Sequence, residues 1–216
     1  MPTDPRRCAA AASALQRQLG WAQQGRSPLH AVIGRVRQLQ VWRHYPRRDA
    51  LSRCGRWQFY FHAHEADDPQ ESPSGRHPDE QGHMHVFRRA PSGRLSHLVG
   101  LSLDARGVPL MWFTTNQWVT GERWHSAPTL IRSLKTADLR LRGPLGGVAS
   151  WLNDLLIVYA PLLERLLTER DRACLRYAQA QGLSQRAAQA DRRVAIWSQC
   201  ALDWPADVWK WVDEPV

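Results

Sequence analysis

Two short motifs, His62-Ala63-His64 and His83-Met84-His85, constrain this chain more than any other feature. Each sits in a run with the alternation of a β-strand. In the first run Trp57, Phe59, Phe61 and Ala63 fall on one side, and Gln58, Tyr60, His62 and His64 on the other. Side chains two apart on a strand share a face. Each motif therefore projects two imidazoles the same way, and pairing of the two runs gathers four on one side of a sheet. Neutral imidazole is the commonest metal ligand. A chain of this kind is expected to build a sheet whose one face is apolar and whose other face carries chemistry.

The 18 residues 65–82 separate the motifs, more than the roughly 2–5 of a simple hairpin loop. Pairing His64 with His83 would set His62 against His85. Cross-strand Cβ atoms would then lie about 4.5–5.5 Å apart, close enough to share one ion at metal–nitrogen distances of about 2.0–2.2 Å. A third strand adds to the patch. Ala90-Pro91-Ser92-Gly93 fits a type I turn followed by a left-handed glycine, a three-residue hairpin connection. That register sets Ala90 opposite Arg94 and Phe87 opposite His97, so His97 shares the face of His83 and His85 as a fifth ring or a supporting one. Of the acids in the 65–82 loop, Glu65 and Glu80 flank the histidines most closely. Each is a candidate ligand or a partner for a ligand's free N–H. Asp67, Asp68, Glu71 and Asp79 read as solubilising charges.

Strands are expected at 56–64, 83–90, 95–104 and 109–115, rich in Val, Leu, Phe and Trp, with a tight turn at Arg106-Gly107. Helices flank them. Residues 5–23 are amphipathic, and Ser27-Pro28 opens a helix read as 28–42. Residues 43–56 read as a polar connector. After Trp118 the pattern turns helical: 127–136 after the Ser126 cap, 148–159, 161–181 from Pro161, and a last helix from Ser184 to about 200. The expected fold is α+β, an antiparallel meander of about four strands packed by N- and C-terminal helices. It is read as one domain over 1–216, with N-terminal helices in 1–45, the sheet in 56–118 and a helical half in 126–216. Trp57, Phe59, Phe61, Met84 and Val86 would face the core, and Trp197, Trp204, Trp209 and Trp211 would anchor the tail by burying aromatic area.

The 216 residues carry a net charge of +9, with Lys135 and Lys210 the only lysines. Arginine skew of this kind is what a GC-rich bacterial genome gives. The arginines are spread in short pairs and form no basic tract, which argues against a nucleic-acid partner. No run reaches the roughly 18 apolar residues of a membrane span, and the alanines at 9–12 are too short for a signal-peptide core, so a cytoplasmic protein is expected. Cys8, Cys54, Cys174 and Cys200 are scattered without a C-x-x-C spacing and read as reduced thiols.

Imidazole with carboxylate suits iron, copper, manganese or zinc and argues against calcium or magnesium. The absence of thiolate pairs argues against a purely structural zinc site. Gly55 through Glu80 resembles the cupins, which also place an H-x-H and a glutamate on β-strands to hold iron, manganese or related metals. The resemblance implies an ion of that class here. The chain departs from the cupins where a second H-x-H follows after one loop and the second half becomes helical, and it is not assigned to them.

The expected function is a metal-binding protein acting as a non-haem iron- or copper-dependent oxidoreductase on a small-molecule substrate. His62, His64, His83, His85 and His97 are the metal candidates. Glu80, as ligand or proton-transfer group, and Tyr60, on the same face, are the catalytic ones. The alternative is a non-catalytic metal-binding or sensing protein; an Arg-rich nucleic-acid binder comes third. Asn116, Thr120, Glu122 and Trp124 could rim a pocket. His30, His44, His77 and His125 follow no pattern and read as ordinary surface residues. A nucleophile elbow, a P-loop and a dinucleotide fingerprint are all missing.

Overall fold

The computed structural model describes residues 4–34, 36, 38–64, 77–204 and 206–212. The elements in chain order are α1 (Pro5–Gln23), α2 (Pro28–Ile33), β1 (Tyr45–Leu51), β2 (Trp57–Ala63), β3 (Gly82–Arg89), β4 (Leu95–Leu103), β5 (Pro109–Thr115), α3 (Gln117–Thr120), α4 (Ala127–Leu134), α5 (Gly146–Val158), α6 (Ala160–Ala180), α7 (Gln185–Gln189), β6 (Ile196–Ala201) and α8 (Ala206–Val212). The fold is α+β. All strands join one antiparallel sheet in the order β1-β2-β3-β4-β5-β6.

Six strands replace the expected four, and both additions fall at the sheet's edges. β1 occupies the segment read as a polar connector. Pro46, Arg47, Arg48 and Asp49 hid it. Proline and charge are tolerated on an edge strand, where they also discourage pairing with another chain. β6 occupies the end of the segment read as a helix to about 200. Alanine-rich helical propensity is satisfied only over the five residues of α7. The chain then extends from Ile196, and its own Ile196 and Trp197 suit the strand that pairs with β5. The expected helix 28–42 also stops early, at Ile33.

Local signals fixed the remaining helices. Asp4 accepts hydrogen bonds from the amides of Arg6 and Arg7 at the start of α1, with Pro5 at its first position. Along α6, Leu163, Leu166, Leu167, Arg170, Cys174 and Ala178 are buried at helical spacing. α5 and α6 meet at Tyr159 with a bend of 74°. No single helix among the described residues is long and apolar enough to cross a membrane.

One apolar cluster runs from α1 through the sheet to α8. Trp57, Phe59, Phe61, Met84 and Val86 are fully or nearly fully buried within it, as expected, together with Leu101, Trp112, Trp151 and Leu152. Each such side chain contributes about 1.5–3 kcal/mol. The tail is held by Trp204 in this cluster and by Trp211, whose ring stacks 3.7 Å below the Arg7 guanidinium. Trp209 is half-exposed, and Trp197 packs in a second, smaller cluster with Cys174 and Ala178.

The register of the central strands departs from expectation by two residues. His62, and not His64, lies opposite His83, and Tyr60 lies opposite His85. A shift of two keeps every side chain on its face, so the imidazoles still converge. The β3–β4 hairpin forms as read. The Ala90 amide bonds the Arg94 carbonyl at 2.9 Å, Gly93 has φ +80°, and Phe87 lies opposite His97. A bulge then intervenes. Val86 pairs with Val99, leaving Leu98 as the extra residue. Without it Val99 and Leu101 would fall on the histidine face. With it they join the core, and Gly100 and Ser102 turn toward the histidines.

Candidate metal centre

His62 is the next-to-last residue of β2, with His64 just beyond the strand, and His83 and His85 lie near the start of β3. All four rings are buried on the sheet face away from the main core, and His97 of β4 joins them. The His62 Nε2 lies 2.7 Å from His83 Nε2 and 3.2 Å from His85 Nε2; His64 Nε2 lies 3.4 Å from His83 Nε2. His62, His64 and His83 form a set whose ligand atoms all lie within 4.8 Å of one another, and His85 reaches it through His62. The cluster on the sheet could bind a metal.

The next layer orients these rings. The Glu80 carboxylate accepts from His83 Nδ1 at 2.7 Å and from the Ser102 hydroxyl. That bond places the His83 proton on Nδ1 and leaves the Nε2 lone pair facing the cluster. His85 Nδ1 lies 2.9 Å from His97 Nε2, and His97 Nδ1 lies 3.1 Å from Thr115 Oγ1. Both His97 nitrogens are thus engaged, one against His85 and one against Thr115. Burial, followed by the fields of the neighbouring histidines, holds His85 well below the usual imidazole range. Burial, then Arg170 and His83, lowers His97 to about 3. Both rings are therefore neutral, the protonation state a ligand requires.

A cavity of about 160 Å3 opens beside the cluster, lined by His62, His83, His85, Tyr60, Phe113 and Thr115 among others. Gly100 makes room for one wall. It lies opposite Phe113, and a Cβ there would come within 2.2 Å of that ring. Phe113 can therefore lie flat across the strand with its ring centroid 4.9 Å from that of His83. Tyr60 forms another wall. Burial first, then Glu122 and Asp49, pushes its phenol above the ordinary range, so it remains a hydroxyl. Trp42 stands over the histidines with its ring 5.1 Å from His64 and its backbone in the left-handed region, φ +64°. Such a conformation costs a bulky residue about 1–3 kcal/mol and is found where surrounding structure enforces it.

His44, read as an ordinary surface residue, lines this cavity. Its ring stacks on Tyr60 at 3.6 Å, and its Nδ1 lies 2.9 Å from Asp49 Oδ1. No local spacing marks His44, because residues five apart on a regular strand lie on opposite faces, and the irregularity between Tyr45 and Ala50 lies between His44 and Asp49. Trp42, Phe113, Trp118 and Val119 were likewise not singled out as cavity residues. Of the weaker candidates, Thr120 lines the cavity, whereas Asn116, Glu122 and Trp124 border a smaller recess beside His97 and Arg170. There Asn116 has a structural task, capping α3 and donating to the carbonyls of Ala188, Asp191 and Val194. Burial raises the Glu122 carboxyl to about 7. His30 bonds the Ser27 amide, His77 sits beside Asp79, and the His125 carbonyl accepts from Arg170. Glu65, Asp67, Asp68 and Glu71 lie outside the described residues. The cysteines are free thiols, as expected.

No curated protein and no solved structure matches the chain. A family match covers residues 8–202, nearly the whole chain and every histidine of the cluster, and the protein therefore belongs to the family described as Domain of unknown function (DUF6969).

Proposed function

We propose that this protein is a metal-dependent enzyme, an oxidoreductase of the non-haem iron or copper type, acting on a small molecule admitted to the 160 Å3 cavity. His62, His64 and His83 hold the ion, with His85 completing the set. Glu80 orients His83, and His97 orients His85. Tyr60 and His44 face the substrate space as hydrogen-bonding groups. The observation that carries the reading is the meeting of the His62, His64 and His83 Nε2 atoms at one point, with the His83 lone pair aimed inward by Glu80. An all-imidazole set suits iron, copper or zinc, and a bound ion of this kind supplies Lewis acidity or electron transfer. The adjacent chamber favours an enzyme over a carrier or sensor, which has no use for one. A void of about 150 Å3 takes a molecule the size of benzene, so the substrate is small.

Elemental analysis of tag-free protein, expressed with iron, copper, zinc and manganese supplied, tests this. Near-stoichiometric content of one of these metals is expected. His83→Ala should weaken binding by 100-fold or more, and Glu80→Gln by about 10–100-fold, the usual effect of losing a ligand's orienting partner. Wild-type protein with only trace metal sinks the proposal; full occupancy in His83→Ala sinks the ligand assignment.

A further inference from the structure

A second site lies at the opposite end of the same strands. Arg56 precedes β2, and Arg88 and Arg89 end β3. The Arg89 amide bonds the Arg56 carbonyl at 2.7 Å, which ties the two strand ends together. α4 runs past this corner and contributes Arg132. Between them is a groove of about 450 Å3, lined by Arg56, Arg88, Arg89 and Arg132 with Thr129, Ser133 and Thr136. No acidic side chain among the described residues lines it.

Among the described residues none of these four arginines enters an ion pair. Arg140, Arg170, Arg176 and Arg193 each do. Other arginines, Arg47, Arg48, Arg94 and Arg106 for example, are also without an ion pair among the described residues. What sets the groove apart is position, because four guanidinium-bearing side chains gather around one concavity. Within the described residues Arg89 donates to Gln58 at 3.4 Å and Arg132 to Thr129 at 3.3 Å, both neutral acceptors, and Arg56 lies beside the Cys54 thiol. The field of this region also reaches His125. Burial first, then Arg123, Arg88 and Arg170, holds that ring below its ordinary range.

We propose that the groove between the β2–β3 end and α4 binds a phosphorylated small molecule, with Arg56, Arg88, Arg89 and Arg132 as the anion-recognising groups. Guanidinium presents forked donors that match phosphate oxygens in pairs. Several such forks around a concavity recognise a multiply charged group better than a single carboxylate. The volume lies within the roughly 300–1,000 Å3 of ordinary ligand pockets and exceeds what one inorganic phosphate fills, so the ligand has an organic part or a second phosphate. A short groove of this size suits a small solute, whereas a nucleic-acid strand needs an extended basic track.

Titration calorimetry with pyrophosphate tests the site, using metal-loaded and metal-stripped wild-type protein. Equal affinity in both forms is expected, falling as salt is raised. Arg88→Ala and Arg132→Ala should each weaken binding at least tenfold and the double variant at least 100-fold. Arg186→Ala, on α7 away from the groove, should bind as wild type. Because Arg132 is exposed on its helix, Arg132→Ala should keep the wild-type circular dichroism and melting temperature, so its loss of binding is not a loss of fold. Absence of pyrophosphate binding overturns the proposal. So does binding that the double variant retains, or binding that disappears with the metal. Tighter binding of a ten-nucleotide thymidine strand than of pyrophosphate, weakened by the same substitutions, overturns it in favour of a nucleic-acid partner.

Discussion

The two faces of the sheet are buried to nearly the same extent and made of opposite material. On the helix side lie Trp57, Phe59, Phe61, Met84, Val86 and Trp112; on the other lie His62, His64, His83, His85, His97, Ser102 and Thr115. An antiparallel sheet commonly shows one face to the core and one to water. Here the second face is closed over by Trp42, α3 and the start of β6. Removing apolar area from water drives folding. Removing imidazoles from water opposes it unless each nitrogen finds a partner. The difference teaches that burial by itself does not distinguish what stabilises this protein from what the protein maintains for another purpose. The sign of the latter is that Glu80 engages His83 at one end and His85, His97 and Thr115 are linked in turn at the other, while the Nε2 atoms of His62, His83 and His85 gather between them.

The comparison can be broken most forcefully from the helix side. Phe59→Ala should destabilise the protein by about 3–5 kcal/mol through lost transfer energy and the cavity left behind, measured by urea unfolding. The fraction that stays folded should keep its full metal content. Loss of metal from folded Phe59→Ala protein would mean the faces are not separable.

Acid should act on the other face. His97 has its folded pKa lowered to about 3, beneath an unfolded value of about 6.5. Between those values the unfolded chain binds a proton that the folded chain refuses. Stability is therefore full above pH 6.5 and declines as pH falls toward 3, by about 1.4 kcal/mol per unit for this residue. His85 is shifted in the same direction and adds to the slope. Metal-free protein should lose about 2 kcal/mol or more between pH 6.5 and 5, read from chemical denaturation at each pH. A flat profile would show that the rings accept protons in place.

The smallest effect concerns the boundary between imidazole and aromatic wall. Gly100→Ala places a methyl group where Phe113 lies and should cost about 1–3 kcal/mol by overpacking. The displaced ring should alter the ultraviolet–visible spectrum of a bound copper or iron ion without releasing it. An unchanged spectrum would detach Phe113 from the site.

Much of this was legible before any coordinates. Period-two alternation in 56–64 and 83–90 exposed both faces at once, and Pro91-Ser92-Gly93 fixed the turn that brings His97 over. The two-residue slip in the β2–β3 register was not legible, because 18 residues separate the strands and a loop of that length dictates no pairing. The edge strands were hidden for physical reasons. β1 is written in proline and charge because its outer side has no neighbour, and β6 is short and directly follows the alanine- and arginine-rich stretch around α7, whose helical pattern runs up to it. His44 was lost with β1, although it lines the cavity as Tyr60 does. The arginine groove is assembled from residues 32 or more positions apart, between Arg56 and Arg88 and between Arg88 and α4, and no local spacing announces it.

The unpaired Leu98 has a final implication for how such a chain can vary. It works as a phase corrector, joining one stretch of β4 whose inward side begins at His97 to another whose inward side resumes at Gly100. Deleting this one codon would keep the strand long enough to pair, yet would force a choice between pointing His97 at the helices and pointing Leu101 at the histidine cluster. Length changes in this strand should therefore be tolerated only in twos.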